Sequence, residues 1–312
     1  MLKSLILYLI AFAMVLALSA CSGGLDKPAL IEKYSNKESK FIWVSGMQVH
    51  YRDEGIGELV VLLHGTASSL HTWDQWAEQL SEEYRVIRLD LPGFGLTGPH
   101  PQNKYEVSDD VQFLKAFLQK LLVNNQPQKL HLVGNSLGGR IAWQYSLDYP
   151  QQVKSLTLMN SLGYPQAQWP PAIEMAQWPI LDSIVANFSP RFMFEDGLKH
   201  IYFDDDLVTQ KLVDRYYQLA NFPGNMEAFP KRVKAKLDTH SDDIKKISVP
   251  TLIQWGAQDE YFPVARAHDF KRDIVNSKMK IYTEIGHLPM EETPQQSVQD
   301  FRLFLDSLLV AE

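Results

Sequence analysis

From Phe41 onward, short apolar runs alternate with stretches in which apolar residues recur every three to four positions, the periods of buried strands and amphipathic helices. "FIWVSGMQVHYRDEG" reads as two strands about Ser45-Gly46, "LVVLLHG" as a buried strand and "WDQWAEQLS" as a helix. "YRVIRLDLPG" is a strand entering a glycine-rich loop, and "SDDVQFLKAFLQKLL" is an amphipathic helix with Ser108 as its expected cap. The strand "KLHLV" runs into a helix carrying Ile141, Ala142, Tyr145 and Ser146, which ends at Tyr149-Pro150. "VKSLTLMN", "VPTLIQWG" and "KMKIYTEIG" are further strands, with helices expected over 263–275 and 293–309. Strands alternating with helices specify an α/β fold with a mostly parallel sheet covered on both faces.

Between Tyr164 and Lys234 the alternation stops. This stretch is rich in Pro, Trp, Phe and Met, then becomes helical in "DDLVTQKLVDRYYQLA". It predicts a helical cap over 164–234, inserted into a core of 41–163 and 235–312, above the carboxyl ends of the strands. Its aromatics supply the cap with a core of its own. Trp169, Trp178, Phe192, Met193 and Phe194 are candidates to line an apolar acyl pocket, with Trp169, Phe192 and Phe194 as the named substrate-binding residues.

The first residues follow another pattern. After Lys3 an uncharged apolar run extends from Leu5 to Leu18, shorter than the roughly 20 residues of a spanning helix. It fits a signal peptide over 1–20. "LSAC" resembles the bacterial lipobox, which implies cleavage before Cys21 and its lipidation; a plain signal peptide or an uncleaved anchor are the alternatives. Residues 21–40, polar in "DKPALIEKYSNKESK", are then expected to be a tether. Ser22-Gly23-Gly24 follow the cysteine without an aspartate, so an outer-membrane lipoprotein in the bacterial cell envelope is expected. Cys21 is also the chain's one cysteine, which excludes an internal disulfide.

The 312 residues, 45% hydrophobic and 11% aromatic, are enough for a sizeable globular core. A net charge of −7 without a basic stripe excludes nucleic acid as an expected partner. Gly93-Phe94-Gly95-Leu96-Thr97-Gly98 spells G-x-G-x-x-G after a strand, but "PHPQN" follows where a dinucleotide fold needs a helix. Asp204-Asp205-Asp206 reads as negative charge at a helix start rather than a cation site. No cofactor and no metal are expected.

Candidate chemistry centres on "HLVGNSLGGR", which sets Ser136 between a strand and a helix. A serine there can simply cap the helix. The sharper reading is a nucleophile elbow, and a serine hydroxyl then needs a base and a group to orient that base. Of the nine histidines, His131 lies in a strand, His268 in a helix, and His50, His200 and His240 have no telling context. His287 falls just past a strand on a glycine-marked loop, and Asp259 just past the strand before it. Asp238, Asp242, Asp243 and Glu260 are rival acids, of which Asp242 and Asp243 precede their strand.

"LLHGTASSLHTW", "DLPGFGLTG", "GNSLGG", "WGAQDEYFP" and "GHLPMEE" resemble, in order, the landmark motifs of the α/β-hydrolase superfamily over nearly the whole mature chain. The resemblance implies a Ser136, Asp259, His287 triad in the usual chain order. It also implies that His64-Gly65 shape an oxyanion loop in which the backbone N–H groups of Thr66 and Leu137 hold the oxyanion. A serine at the elbow separates the chain from the dehalogenase and epoxide-hydrolase branches, which use aspartate there. Thr97 stands where relatives often have serine. The expected activity is hydrolysis of small-molecule or lipid carboxylic esters, of esterase or lipase type. A C–C bond hydrolase and a catalytically inactive, lipid-anchored binding protein are the alternatives.

Overall fold

The computed structural model describes residues 26–122, 129–166, 168–235 and 240–309. The expected signal peptide, Cys21 and Asp238 lie outside the described residues.

The chain opens with α1 (Lys27–Tyr34), capped by Asp26, whose carboxylate accepts from Ala29 N at 3.0 Å. This corrects the expected tether. Leu30 and Tyr34 stand four residues apart, share one helical face and are only 2% and 8% exposed. Arg52 donates to the Tyr34 carbonyl, His71 Nε2 lies 2.9 Å from it, and the Tyr34 hydroxyl donates to Gln218 of the cap. The polar residues that suggested a tether cover the outer face of the helix, and β1 begins at Ser39.

Eight strands form one sheet: β1 (Ser39–Val44), β2 (Met47–Glu54), β3 (Glu58–Leu63), β4 (Tyr84–Leu89), β5 (Leu130–Asn135), β6 (Val153–Met159), β7 (Thr251–Gly256) and β8 (Ser277–Tyr282). Their spatial order is β1-β2-β4-β3-β5-β6-β7-β8. β1 and β2 pair antiparallel, as do β2 and β4; every other pairing is parallel. The central strands are unbroken apolar runs because both faces are covered. In β3, Val61 and Leu63 join the core on one side, and Val60 and Leu62 pack with Trp73, Trp76 and Phe301 on the other. At the edge, β8 alternates between half-buried and exposed positions.

Helices α2 (Asp74–Leu80), α3 (Val107–Leu121) and α4 (Leu137–Asp148) link the first strands. The cap of α3 is Glu106, not Ser108. The Glu106 side chain accepts from the backbone of Asp109, and the Asp109 side chain accepts from Glu106 N at 3.1 Å, a reciprocal pairing that leaves Ser108 inside the first turn.

Between β6 and β7 come α5 (Pro171–Gln177), α6 (Leu181–Asn187), α7 (Arg191–Ile201), α8 (Gln210–Ala220) and α9 (Asn225–Lys234). They are joined to the core through a buried ion pair, Arg232 of α9 donating twice to Asp110 of α3 at 2.7 and 2.9 Å. Asp205 and Asp206 begin a short 3-10 turn for which Asp204 is the cap, so that acidic run does serve a helical start. The chain closes with α10 (Ala265–Asp273), α11 (Pro289–Glu292) and α12 (Pro294–Leu309).

Candidate active site

The sheet order explains how distant residues meet. Neighbouring strands β5, β6, β7 and β8 each release one polar residue just past the carboxyl end: Ser136, Asn160, Asp259 and His287 in turn. Gly65 and Thr66 follow β3, the neighbour of β5 on the other side.

Ser136 occupies the cap position of α4, yet its side chain makes no capping hydrogen bond. Its backbone lies at φ 54°, ψ −116°, a conformation that costs an L-residue roughly 1–3 kcal/mol. Tight packing enforces this turn. A Cβ on Gly138 would come within 2.2 Å of the Leu63 carbonyl, so only glycine allows α4 to approach β3 so closely. On the other flank, a Cβ on Gly65 would lie 3.0 Å from the Cβ of Ser136, which sets the loop after β3 directly against the serine. His64 steadies that loop: its Nδ1 bonds the Gly65 carbonyl at 2.7 Å while Nε2 accepts from Leu91 N at 3.0 Å. Complete burial lowers the pKa of His64 to about 4, so it is a neutral strut near pH 7.

His287 Nδ1 lies 2.6 Å from Asp259 Oδ2. That oxygen also accepts from Asn160 Nδ2 at 2.6 Å, while Oδ1 accepts from the backbone of Tyr261 and Phe262 at 3.0 and 2.9 Å. A carboxylate surrounded by donors accepts only, so His287 carries its proton on Nδ1 and keeps Nε2 as the basic nitrogen. Phe262 packs edge-on against the imidazole, with ring centres 5.1 Å apart. Asn135, the residue before Ser136, donates to the His287 carbonyl at 3.1 Å and so draws the β8 loop back over the elbow. Ser136 and His287 line one cavity, which also receives Thr66 and Leu137.

The rival acids among the described residues stand elsewhere. The Asp242 side chain is fully exposed and 3.9 Å from Lys245, Asp243 pairs with Lys246, and Glu260 turns to His200 at 3.0 Å. Asn160 was not among the residues singled out from the sequence. Besides donating to Asp259, Asn160 accepts from Gly256 N through Oδ1 at 3.1 Å, tying β6 to the turn that carries the acid. An amide at a strand end beside the acid strand was its only signal.

The cavity holds about 1060 Å³ between the sheet and the cap. Trp169, Phe192, Met193 and Phe194 line it, whereas Trp178 does not and is 66% exposed. Phe192 is 68% exposed, so it stands at the mouth. Phe194 packs edge-on against Tyr217 within the cap, which gives it a structural share as well. Phe94 and Gly95 of the glycine-rich loop also reach the wall. That loop closes on itself through Gly93 N and the Gly98 carbonyl at 2.7 Å and opens no helix. Among the described residues no cluster of His, Cys, Asp and Glu is arranged to hold a metal ion.

Residues 58–294 match the family of the alpha/beta hydrolase fold. The chain belongs to that family. It is 26% identical to 2-hydroxy-6-oxo-2,4-heptadienoate hydrolase of Pseudomonas putida over 258 residues, 80% of this chain and 89% of that protein. It is 27% identical to Lipase 3 of Moraxella sp. (strain TA144) over 260 residues, 82% of this chain and 80% of that one. Among solved structures, a candidate lipase from Acinetobacter baumannii superposes with a TM-score of 0.77 at 25% identity, covering 93% of this chain and all of the other. The chain is therefore a hydrolase by family, and its relatives include both a dienoate hydrolase and a lipase.

Proposed function

We propose that the protein is a serine hydrolase of carboxylic esters. His287 Nε2 takes the proton of Ser136 Oγ as that oxygen bonds to the ester carbonyl carbon, and the backbone N–H groups of Thr66 and Leu137 receive the oxyanion. The C–O bond then breaks, the alcohol leaves with the proton from His287, and water repeats the sequence to release the acid. Asp259 holds the imidazole in the required tautomer.

The observation that carries the ester reading is the charge state of the cavity. Each basic side chain on its wall already faces a carboxylate: Arg232 faces Asp110, Lys199 faces Glu195 at 3.5 Å, His200 faces Glu260 and His287 faces Asp259. The rest of the wall is mainly apolar. Such a space favours a neutral acyl chain, since a dienoate carboxylate would meet there no basic side chain that is not already paired with an acid. The Pseudomonas putida relative supports the second reading, a C–C bond hydrolase. Turnover of p-nitrophenyl esters from acetate to palmitate, measured beside 2-hydroxy-6-oxo-dienoates, separates the two. The proposal expects ester turnover to dominate; efficient cleavage of the dienoates with feeble ester turnover would overturn it.

For location, we propose an envelope protein held by lipid at Cys21, a reading supported by "LSAC" behind the apolar run from Leu5 to Leu18.

A further inference from the structure

The loop that carries His287 has no strand or long helix to hold it, yet all three of its successive backbone N–H groups are engaged. Gly286 N and Leu288 N, on either side of the histidine, both donate to the Glu292 carboxylate, at 3.0 Å to Oε2 and 3.1 Å to Oε1 respectively. His287 N donates to the Ile201 carbonyl at 2.7 Å. Ile201 is the last residue of α7, and two residues on, Phe203 N donates to Glu292 Oε2 at 2.8 Å. The base loop and the end of the cap helix are thus held by the same side chain. They also touch directly, since a Cβ on Gly286 would lie 2.4 Å from the Ile201 carbonyl. Helix α7 is the one that presents Phe192, Met193, Phe194 and Leu198 to the cavity.

We infer that Glu292 is a positioning residue that fastens the His287 loop to the end of α7, so that the cap and the base of the reaction are aligned as one unit. This rests on the serine-hydrolase reading above.

The chemistry of the site calls for a carboxylate. Three N–H donors converge on two oxygens that can only accept, and burial raises the Glu292 carboxyl above its usual range while those donors oppose the rise. A glutamine would turn an NH2 toward at least one of the three N–H groups and break the set. Glu291, next in the chain, does different work: it binds Arg215 at 2.7 and 2.9 Å and accepts from Tyr202 at 2.6 Å, which anchors α8 and the α7 end to the core. The two adjacent acids divide the task, Glu291 holding the cap and Glu292 joining the cap to the base.

A displacement of about 1 Å at a reacting group costs on the order of a hundredfold in rate without requiring any loss of ground-state binding. Glu292→Gln is therefore expected to lower kcat on p-nitrophenyl butyrate at least about tenfold with KM within about twofold, and Glu292→Asp to recover part of the loss. Labelling of Ser136 by a fluorophosphonate should slow in proportion. Circular dichroism checks the fold, and if Glu292→Gln does not fold, Glu292→Asp is read alone, with a fall in kcat expected. Wild-type kcat in a folded variant, or a rise in KM with kcat unchanged, overturns the inference. Failure of the wild-type enzyme to take up the fluorophosphonate defeats the serine-hydrolase reading instead, and the two failures are distinct.

Discussion

At Asp259, two backbone N–H groups, one amide and one imidazole share two carboxylate oxygens. Replacing an orienting aspartate of a serine triad by asparagine lowers turnover by about ten-thousand-fold elsewhere, since the amide favours the wrong imidazole tautomer. Here Asp259→Asn is expected to lose at least about a hundredfold in kcat, while Asp242→Asn, fully exposed in its turn before β7, changes little. A crippled Asp242→Asn beside an active Asp259→Asn would show that another acid orients the base. The positions of Ser136, Asp259 and His287 were legible because each follows a strand with a recognisable apolar pattern. Asn160 and Glu292 were not. Their roles lie in hydrogen bonds to Asp259, Gly256, Gly286 and Phe203, partners up to 99 residues away in the chain that only the folded sheet brings together.

Among the elements, the central strands were read correctly because burial on both faces leaves continuous apolar runs, a pattern that needs no tertiary knowledge. Helix α1 was missed because its stabilising face is only Leu30, Ile31 and Tyr34, and its ties are made to Arg52, His71 and Gln218. The cap of α3 was shifted to Ser108 because glutamate is a less usual cap than serine, and the reciprocal pair with Asp109 outweighs that preference. In α7 the two phenylalanines stand in different settings. Phe192 is at the mouth with little else packed on it, while Phe194 also supports Tyr217. Phe192→Ala is accordingly expected to shift the preferred acyl chain length and to leave acetate turnover within about threefold, as expected for removing a hydrophobic contact made only by longer substrates. Phe194→Ala should in addition lower the thermal midpoint. Parallel losses on every ester with Phe192→Ala would show that the residue serves the cap and not the substrate.

At the scale of the whole molecule, the start of α1 fixes how far the domain can stand from an anchor. Only four residues separate Cys21 from Asp26, and those five residue steps extend at most about 18 Å. If Cys21 carries lipid, the domain rests close against the bilayer, with α1 bound to α8 of the cap through Tyr34 and Gln218. Cys21→Ser is expected to release the protein from the membrane fraction or to block its processing; unchanged fractionation and an unchanged mature N-terminal mass would contradict lipidation. The central claim is that the strained serine between β5 and α4 is the nucleophile. Its most direct test is intact-mass analysis of the protein after a fluorophosphonate, beside Ser136→Ala. The account predicts one adduct on wild type, mapped to the peptide of Ser136, none on the variant, and loss of ester turnover in a variant whose circular dichroism is unchanged. An adduct on another residue, or full ester turnover by a clean preparation of Ser136→Ala, would contradict it.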